Sequence, residues 1–420
     1  MSRYLAYTSP ARGHLYPLVP TLLELRARGH EVVLRTISSE VDRMAGLGFG
    51  AGAIDPAIEA IEHDDWRART PLGGLRRSLE TLLARAPLEV EDIERAVEEE
   101  SPDALIVDVN CFGGAAAAAG TLPRATYCPY LLPLPSRDAP PYGLGLPPAG
   151  GLAGRVRDRL LAAPLTALYD RWLVPGLNEL RAGLGLDPLR HAADAWLEAP
   201  LLVYYTAEPL EYPRSDWPSS VRMVGPGIWD PPADEPDWLS EAGDPWVLVT
   251  ASTEFQDDGR LIQAALDALA GEDVRVIATT AGVDPAPFTA PPNARVERFA
   301  PHGPILARAA CVVCHGGMGI TSKALVAGVP LCVVPFGRDQ LEVARHVEVS
   351  GAGTRLSAGR LRADRLRAAV REATGLRGRA REVAERLGAA GGPAAAAGAL
   401  EELLAGEPAR EAPGYRAARL

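Results

Sequence analysis

The sequence predicts an α/β protein built from two doubly wound domains, and three observations predict it. Near the N-terminus, two apolar, β-branched runs, Arg3–Thr8 and Glu31–Thr36, flank a loop, Ser9–Tyr16, and a helical segment, Pro17–Arg28. In the second half the same strand–loop–helix–strand order returns. An apolar run from Cys311 ends at His315, Gly316 and Gly317 follow, a small-residue helical stretch breaks at Gly328, and a second apolar run ends at Pro335. Continuous apolar runs joined by helices are the pattern of parallel sheets covered on both faces. Between the halves lies Pro209–Pro245, with eight prolines and several aspartates, the expected interdomain linker.

A chain of 420 residues is too long for one ordinary core, so two domains are expected on length alone. Its 47% hydrophobic content indicates a folded, soluble protein, and no apolar run is long enough to span a membrane. The start, MSRYLAYTSP, enters a strand directly, which reads as no signal peptide and a cytoplasmic protein. A net charge of −11 argues against nucleic acid as the partner. Arginine supplies nearly all the positive charge; Lys323 is the only lysine, a bias that points to a high-GC genome such as an actinobacterial one. Of five cysteines, Cys311, Cys314 and Cys332 lie in apolar runs, where cysteine acts as a small hydrophobe. The Cys311-x-x-Cys314 spacing falls inside a strand with no second pair, against a redox or metal role.

Each element follows in turn. Leu18, Leu22 and Leu25 line one face of the first helix, with Pro17 placed in its first turn and Gly29 ending it. Residues 55–71 are polar and irregular, with Trp66 among charges; Leu72–Glu100 is helical. Asp103–Asp108 is a buried strand, Cys111–Gly120 a small-residue helix and Arg124–Cys128 another strand. Pro129–Gly151 is a long Pro-, Gly- and Tyr-rich loop, of the kind that is functional or mobile in compact folds. Helices over about 152–184 and a strand at Leu201–Thr206 complete a first domain of residues 1–208. The second domain, 246–405, runs through strand Trp246–Ala251, helix Asp258–Ala270, strands Val274–Thr279 and Arg295–Phe299, and helices over 362–373 and 377–404. The tail, 406–420, reads as disordered.

Chemistry concentrates where loops leave the carboxyl ends of strands, the usual site in doubly wound folds. His14 follows the first strand and can take a proton from a hydroxyl; a loop histidine capping a helix is the plainer reading. Asp108 ends another strand at the same sheet edge and can bond the second imidazole nitrogen, or cap a helix. In the second half, His315, Gly316 and Gly317 open a helix, whose free amides suit an anion; an ordinary turn would also carry two glycines. Ser252 and Thr253 follow the first strand of that half and can hold phosphate oxygens or cap the next helix, which Asp257 and Asp258 start. Asp339 and Gln340 can together bind sugar hydroxyls, or simply begin a helix.

The order HGG…AL..GVP….P…DQ, from Val312 to Gln340, closely resembles the nucleotide-sugar signature of the family 1 glycosyltransferases. Gly13-His14-Leu15-Tyr16-Pro17 is similar to that family's GHxxP-like loop, and Phe299-Ala300-Pro301-His302 resembles its WxPQ opening. The resemblance implies a GT-B architecture, two Rossmann-like domains facing across a cleft, with the last helix able to return to the first domain. It is the resemblance to enzymes of natural-product and macrolide-type pathways that implies transfer from a UDP- or dTDP-sugar to a hydroxyl of a hydrophobic aglycone, with inversion. His14 would be the base and Asp108 its partner. Ser252, Thr253, Phe299, His302, His315, Gly316, Gly317, Thr321, Asp339 and Gln340 would bind the donor. Trp66, Phe112 and Tyr130 are candidates for the acceptor surface, with the 129–151 loop. No DxD motif stands in the phosphate region, so no metal and no cofactor beyond the nucleotide-sugar co-substrate is expected; a homodimer is left open.

Three departures stand out. Ile320 occupies the hydroxyl position after HGG, with Thr321 next; Lys323 stands where the family often has a ribose-binding glutamate; and Phe299 replaces the tryptophan. Lys323 reads as a solvated helix face or as a second phosphate contact. Two further function classes share the pattern: a nonhydrolysing nucleotide-sugar epimerase of the same architecture, and a catalytically silent partner of another glycosyltransferase. The intact histidine–aspartate pair argues against the second, and the HGG…DQ signature against the first.

Overall fold

The computed structural model describes residues 1–406 except 69, 121, 242 and 253–257, so the expected disordered tail beyond Gly406 lies outside the described residues. The first half runs β1 (Arg3–Tyr7), α1 (Arg12–Ala27), β2 (Glu31–Thr36), α2 (Val41–Gly46), β3 (Gly50–Ala53), α3 (Pro56–Glu59), α4 (Pro71–Glu100), β4 (Ala104–Asp108), α5 (Phe112–Ala117), β5 (Arg124–Cys128), α6 (Gly151–Gly183), α7 (Ala192–Leu197), β6 (Leu201–Tyr204) and β7 (Val221–Met223). The second runs β8 (Trp246–Thr250), α8 (Gly259–Leu269), β9 (Arg275–Thr279), β10 (Ala294–Glu297), α9 (His302–Leu306), β11 (Ala309–Cys314), α10 (Met318–Val326), β12 (Leu331–Val333), α11 (Gln340–Ser350), β13 (Gly353–Arg355), α12 (Ala363–Thr374), α13 (Arg377–Gly388) and α14 (Gly392–Leu404).

Among the described residues seven strands form one sheet in the order β3-β2-β1-β4-β5-β6-β7, and six form another in the order β10-β9-β8-β11-β12-β13. Every pairing in both is parallel. In each sheet the winding reverses beside the first strand, between β1 and β4 and between β8 and β11, which opens a crevice at the carboxyl ends. These are the two doubly wound domains expected. Among the described residues no helix is long and apolar enough to cross a membrane.

Several local expectations are corrected. Helix α1 begins at Arg12, so His14 lies in its first turn, while Pro17 and Pro20 sit inside the helix. The apolar stripe of Leu15, Leu18, Leu22 and Leu25, all buried, outweighs the backbone hydrogen bonds that two prolines remove. The proline-rich segment is not only a connection, because its residues 221–223 form β7 on the first sheet. The 377–404 helix breaks into α13 and α14 at Gly391 and Gly392, whose φ values of +92° and +56° favour glycine. After the break, α14 returns to the first domain, where Ala396, Ala397 and Leu400 join the core formed by Tyr4, Leu18, Leu22 and Tyr127. Arg28 and Glu401 pair at 2.7 Å at the rim, both about one-third exposed. An exposed pair contributes about 0–1 kcal/mol, whereas burying a leucine such as Leu400 contributes about 1.5–3 kcal/mol, so apolar contact holds the helix there.

Cys311 and Cys314 face opposite sides of the sheet, since they are an odd number of residues apart on β11; each belongs to a different core cluster. All five cysteines are free and buried. Burial pushes the Cys311 thiol well above its usual range and that of Cys314 up to about 12, as befits core packing.

Candidate active site

The first cluster lies at the carboxyl edge of the first sheet. Parallel pairing aligns Tyr7 with Val107, so the residues just beyond β1 and the end of β4 emerge side by side. His14 Nδ1 lies 2.8 Å and 3.0 Å from the two carboxylate oxygens of Asp108. The carboxylate can only accept, so the shared proton sits on Nδ1 and Nε2 is the basic nitrogen. Asp108 is wholly buried. It also accepts from the Ser9 amide (3.2 Å), the Ser9 hydroxyl (2.9 Å), the Asn110 amide (2.9 Å) and the Tyr127 hydroxyl (3.1 Å). Burial pushes its pKa up, but His14 and these donors outweigh that and hold it below the ordinary carboxylate value. Asn110, which the sequence reading missed, brings its side-chain nitrogen to 3.4 Å from His14 Nε2 and accepts from the Tyr130 hydroxyl at 2.8 Å. Tyr130 thus stands beside the base, ring centres 5.6 Å apart.

Phe112 does not join it. Helix α5 turns its ring into the core, 4% exposed and 6.3 Å from the Trp196 ring, so its assignment to the acceptor surface is corrected. Trp66 is 40% exposed on the short turn Asp65–Arg67, with the Arg67 guanidinium 5.0 Å over its ring.

The second cluster surrounds the glycine loop between β11 and α10. Gly316 has φ +98°, which favours glycine, and a Cβ on Gly317 would lie 2.4 Å from His315 Nε2, so a side chain there would displace the imidazole. Beneath them His315 Nδ1 faces Asp258 at 3.7 Å, and Asp258 in turn accepts from the Ser252 amide at 2.7 Å. Asp258 therefore does more than begin α8: fully buried, it holds the Ser252 amide beside the histidine. Burial lowers the His315 pKa and a nearby Arg338 lowers it further, while Asp258 and the Thr250 backbone raise it. Thr253 and Asp257 lie outside the described residues. Thr321 is corrected: one helical turn after Gly317, it falls on the inner face of α10, fully buried beside Cys314.

Phe299 is 67% exposed just after β10. His302 Nε2 meets the Thr279 hydroxyl at 3.2 Å. Burial, then Lys323, depress its pKa to about 4, so the ring is neutral near pH 7. Lys323 does not stand on a solvated helix face: mostly buried, it forms an ion pair with Asp230 of the proline-rich segment. The same segment packs on α1, where Trp229 meets Tyr16 edge-on at 4.9 Å.

The two clusters meet across the cleft. Asp339 is half-buried at the start of α11. Burial raises its carboxyl pKa, which Arg338 and His14, from the other domain, pull back. Gln340 is buried, and its side-chain oxygen accepts from the Phe336 and Gly337 amides at 2.8 Å and 3.1 Å, bracing the turn rather than presenting that oxygen to a sugar. The 129–151 loop is tied to α11: the Gly143 and Gly145 amides both donate to Glu342 at 2.7 Å, and Arg345 donates to the Gly145 carbonyl at 2.8 Å.

Comparison with known proteins points to one family. A family model described as the C-terminal domain of erythromycin biosynthesis protein CIII-like proteins matches residues 263–403. The chain is 34% identical to 4'-demethylrebeccamycin synthase of Lentzea aerocolonigenes over 397 residues, 88% of this chain and 91% of that one. It is 28% identical to UDP-glycosyltransferase 2 of Phaeomoniella chlamydospora, covering 86% of each. The fold is shared with the calicheamicin glycosyltransferase CalG4, at a TM-score of 0.73 and 22% identity over 96% of this chain and 98% of that one.

Proposed function

The chain belongs to the GT-B glycosyltransferases of natural-product biosynthesis, and from that premise we propose that it transfers a sugar, with inversion, from a UDP- or dTDP-sugar to a hydroxyl of a hydrophobic aglycone. The observation that carries this reading is the His14–Asp108 pair, with the Asp108 side chain wholly buried and the His14 side chain 17% exposed.

In this reaction His14 Nε2 takes the proton of the acceptor hydroxyl. The hydroxyl oxygen attacks the anomeric carbon from the face opposite the nucleotide. The bond from that carbon to the diphosphate oxygen breaks, and its electron pair leaves with the nucleoside diphosphate. The proton remains on His14 as an imidazolium that the Asp108 carboxylate stabilises. Charge developing on the diphosphate is met by the Gly316 and Gly317 amides, the start of α10 and His315. Asp339 holds sugar hydroxyls, and Phe299 offers its exposed face to the base of the nucleotide. Tyr130 and Trp66 border the acceptor. Five free, buried cysteines suit a reducing compartment, and we place the reaction in the cytoplasm.

The test is a panel of UDP- and dTDP-sugars against hydrophobic hydroxyl acceptors, read by mass. One glycoside and one nucleoside diphosphate per turnover are expected; an isomerised sugar nucleotide with no glycoside would favour an epimerase. Because amides and His315 serve the diphosphate, transfer continues in EDTA. Loss of activity that magnesium or manganese restores would contradict that part of the reading.

A further inference from the structure

One contact spans the cleft in a way the chemistry above does not use. Arg338 Nε lies 2.8 Å from one Asp65 carboxylate oxygen, and Nη2 lies 2.8 Å from the other. A forked arginine–carboxylate pair fixes orientation as well as distance. Asp65 belongs to the first domain, on the turn before α4, and its side chain is 7% exposed. Arg338 belongs to the second, between β12 and α11. Its backbone is left-handed, with φ +50°. A residue bearing a Cβ adopts that conformation only under strain, so something must hold it.

The residues that follow are Asp339 and Gln340. Gln340 ties the Phe336–Gln340 turn from within the second domain, through its bonds to the Phe336 and Gly337 amides. Asp65 ties the same turn from the first domain. Asp339 stands between the two ties.

We propose that Asp65 is a positioning residue for donor recognition: through its forked pair with Arg338, the acceptor domain sets the Phe336–Gln340 turn and aims the Asp339 carboxylate at the sugar of the nucleotide sugar. The inference rests on the reading of Asp339 as a sugar contact. It makes the sugar site a joint product of both domains, whereas the diphosphate site at His315–Gly317 belongs to the second alone.

Three variants test it: Asp65→Asn, Arg338→Gly and Asp339→Asn. Glycine adopts φ +50° without strain, so Arg338→Gly removes the pair while sparing the turn its backbone cost. Each is measured for nucleoside diphosphate affinity by calorimetry and for nucleotide-sugar KM and kcat. Losing an interaction with a charged group predicts a nucleotide-sugar KM raised about tenfold to a hundredfold in Asp65→Asn and in Arg338→Gly. Diphosphate affinity stays within about twofold of the parent in Asp65→Asn, which keeps the Arg338 cation near His315. Asp65→Glu, which keeps the charge, recovers part of the loss. A KM within about twofold of the parent in both pair variants overturns the proposal, and so does an equal loss of diphosphate affinity in Asp65→Asn, which marks the pair as a general brace. If Asp339→Asn leaves the KM unchanged, the sugar-site reading itself falls and the positioning role with it. If Asp339→Asn raises the KM and Asp65→Asn does not, only the positioning role falls.

Discussion

Replacing His14 with alanine lowers sugar transfer by about 10²–10⁴-fold, the range a positioned general base contributes, and leaves nucleoside diphosphate binding unchanged. The separation follows from architecture. His14 lies in the first turn of α1 at the edge of the first sheet, while the glycine loop belongs to the second. The imidazole is oriented before any substrate arrives, because both Asp108 oxygens lie within 3.0 Å of Nδ1. Alanine removes the proton acceptor and leaves the glycine loop of the other domain in place. Near-normal turnover of a hydroxyl acceptor by this variant would remove His14 from the mechanism.

Asp108→Asn has the second large effect, and it falls on the fold as well as the reaction. The carboxylate accepts from His14, the Ser9 amide and hydroxyl, the Asn110 amide and the Tyr127 hydroxyl, with no exposure to water. An amide group in its place turns a donor toward donors. Each buried group left unpaired costs about 1–3 kcal/mol. The imidazole, no longer tied through Nδ1–H, can also take the wrong tautomer. The expected result is a lower urea midpoint at neutral pH together with a fall in kcat. The pH dependence has a definite sign. The folded pKa of Asp108 is held below its value in the unfolded chain, about 3.9. Its contribution to stability is therefore present above about pH 4 and is lost as pH falls through the folded value. The gap in stability between parent and Asp108→Asn narrows on acidification through that window; a constant gap would contradict the role given to these bonds.

The site was most legible where chemistry follows from strand order. The pairing of His14 with Asp108 is legible in the sequence, because loops after parallel strands of one sheet share its carboxyl edge. His315 and the two glycines were legible for a similar local reason: an apolar run, a turn and a helix start. What stayed hidden was set by contacts between distant segments. Asp65 and Arg338 are 273 positions apart and carry no local pattern. The same holds for Glu342, which two amides of the 129–151 loop approach from the other domain. Phe112 was misplaced because proximity to Asp108 in sequence says nothing of which way a short helix turns its ring. Strand β13 escaped notice because Gly353 lowers its strand propensity, yet a Cβ there would lie 2.4 Å from the Leu331 carbonyl oxygen. Close approach to the neighbouring backbone selected the glycine. Strand β3, Gly50–Ala53, likewise has no β-branched residue to announce it.

The most direct test of the account is the configuration of the product. A nucleotide sugar of known anomeric configuration is supplied with a hydroxyl acceptor, and the new glycosidic bond is assigned by proton NMR from the anomeric coupling constant. One displacement, with His14 as base on the acceptor side and the diphosphate leaving toward His315, predicts a glycoside of inverted configuration only. A product that retains the donor's configuration would contradict the account, because it requires a second displacement for which His14 and Asp108 have been given no role.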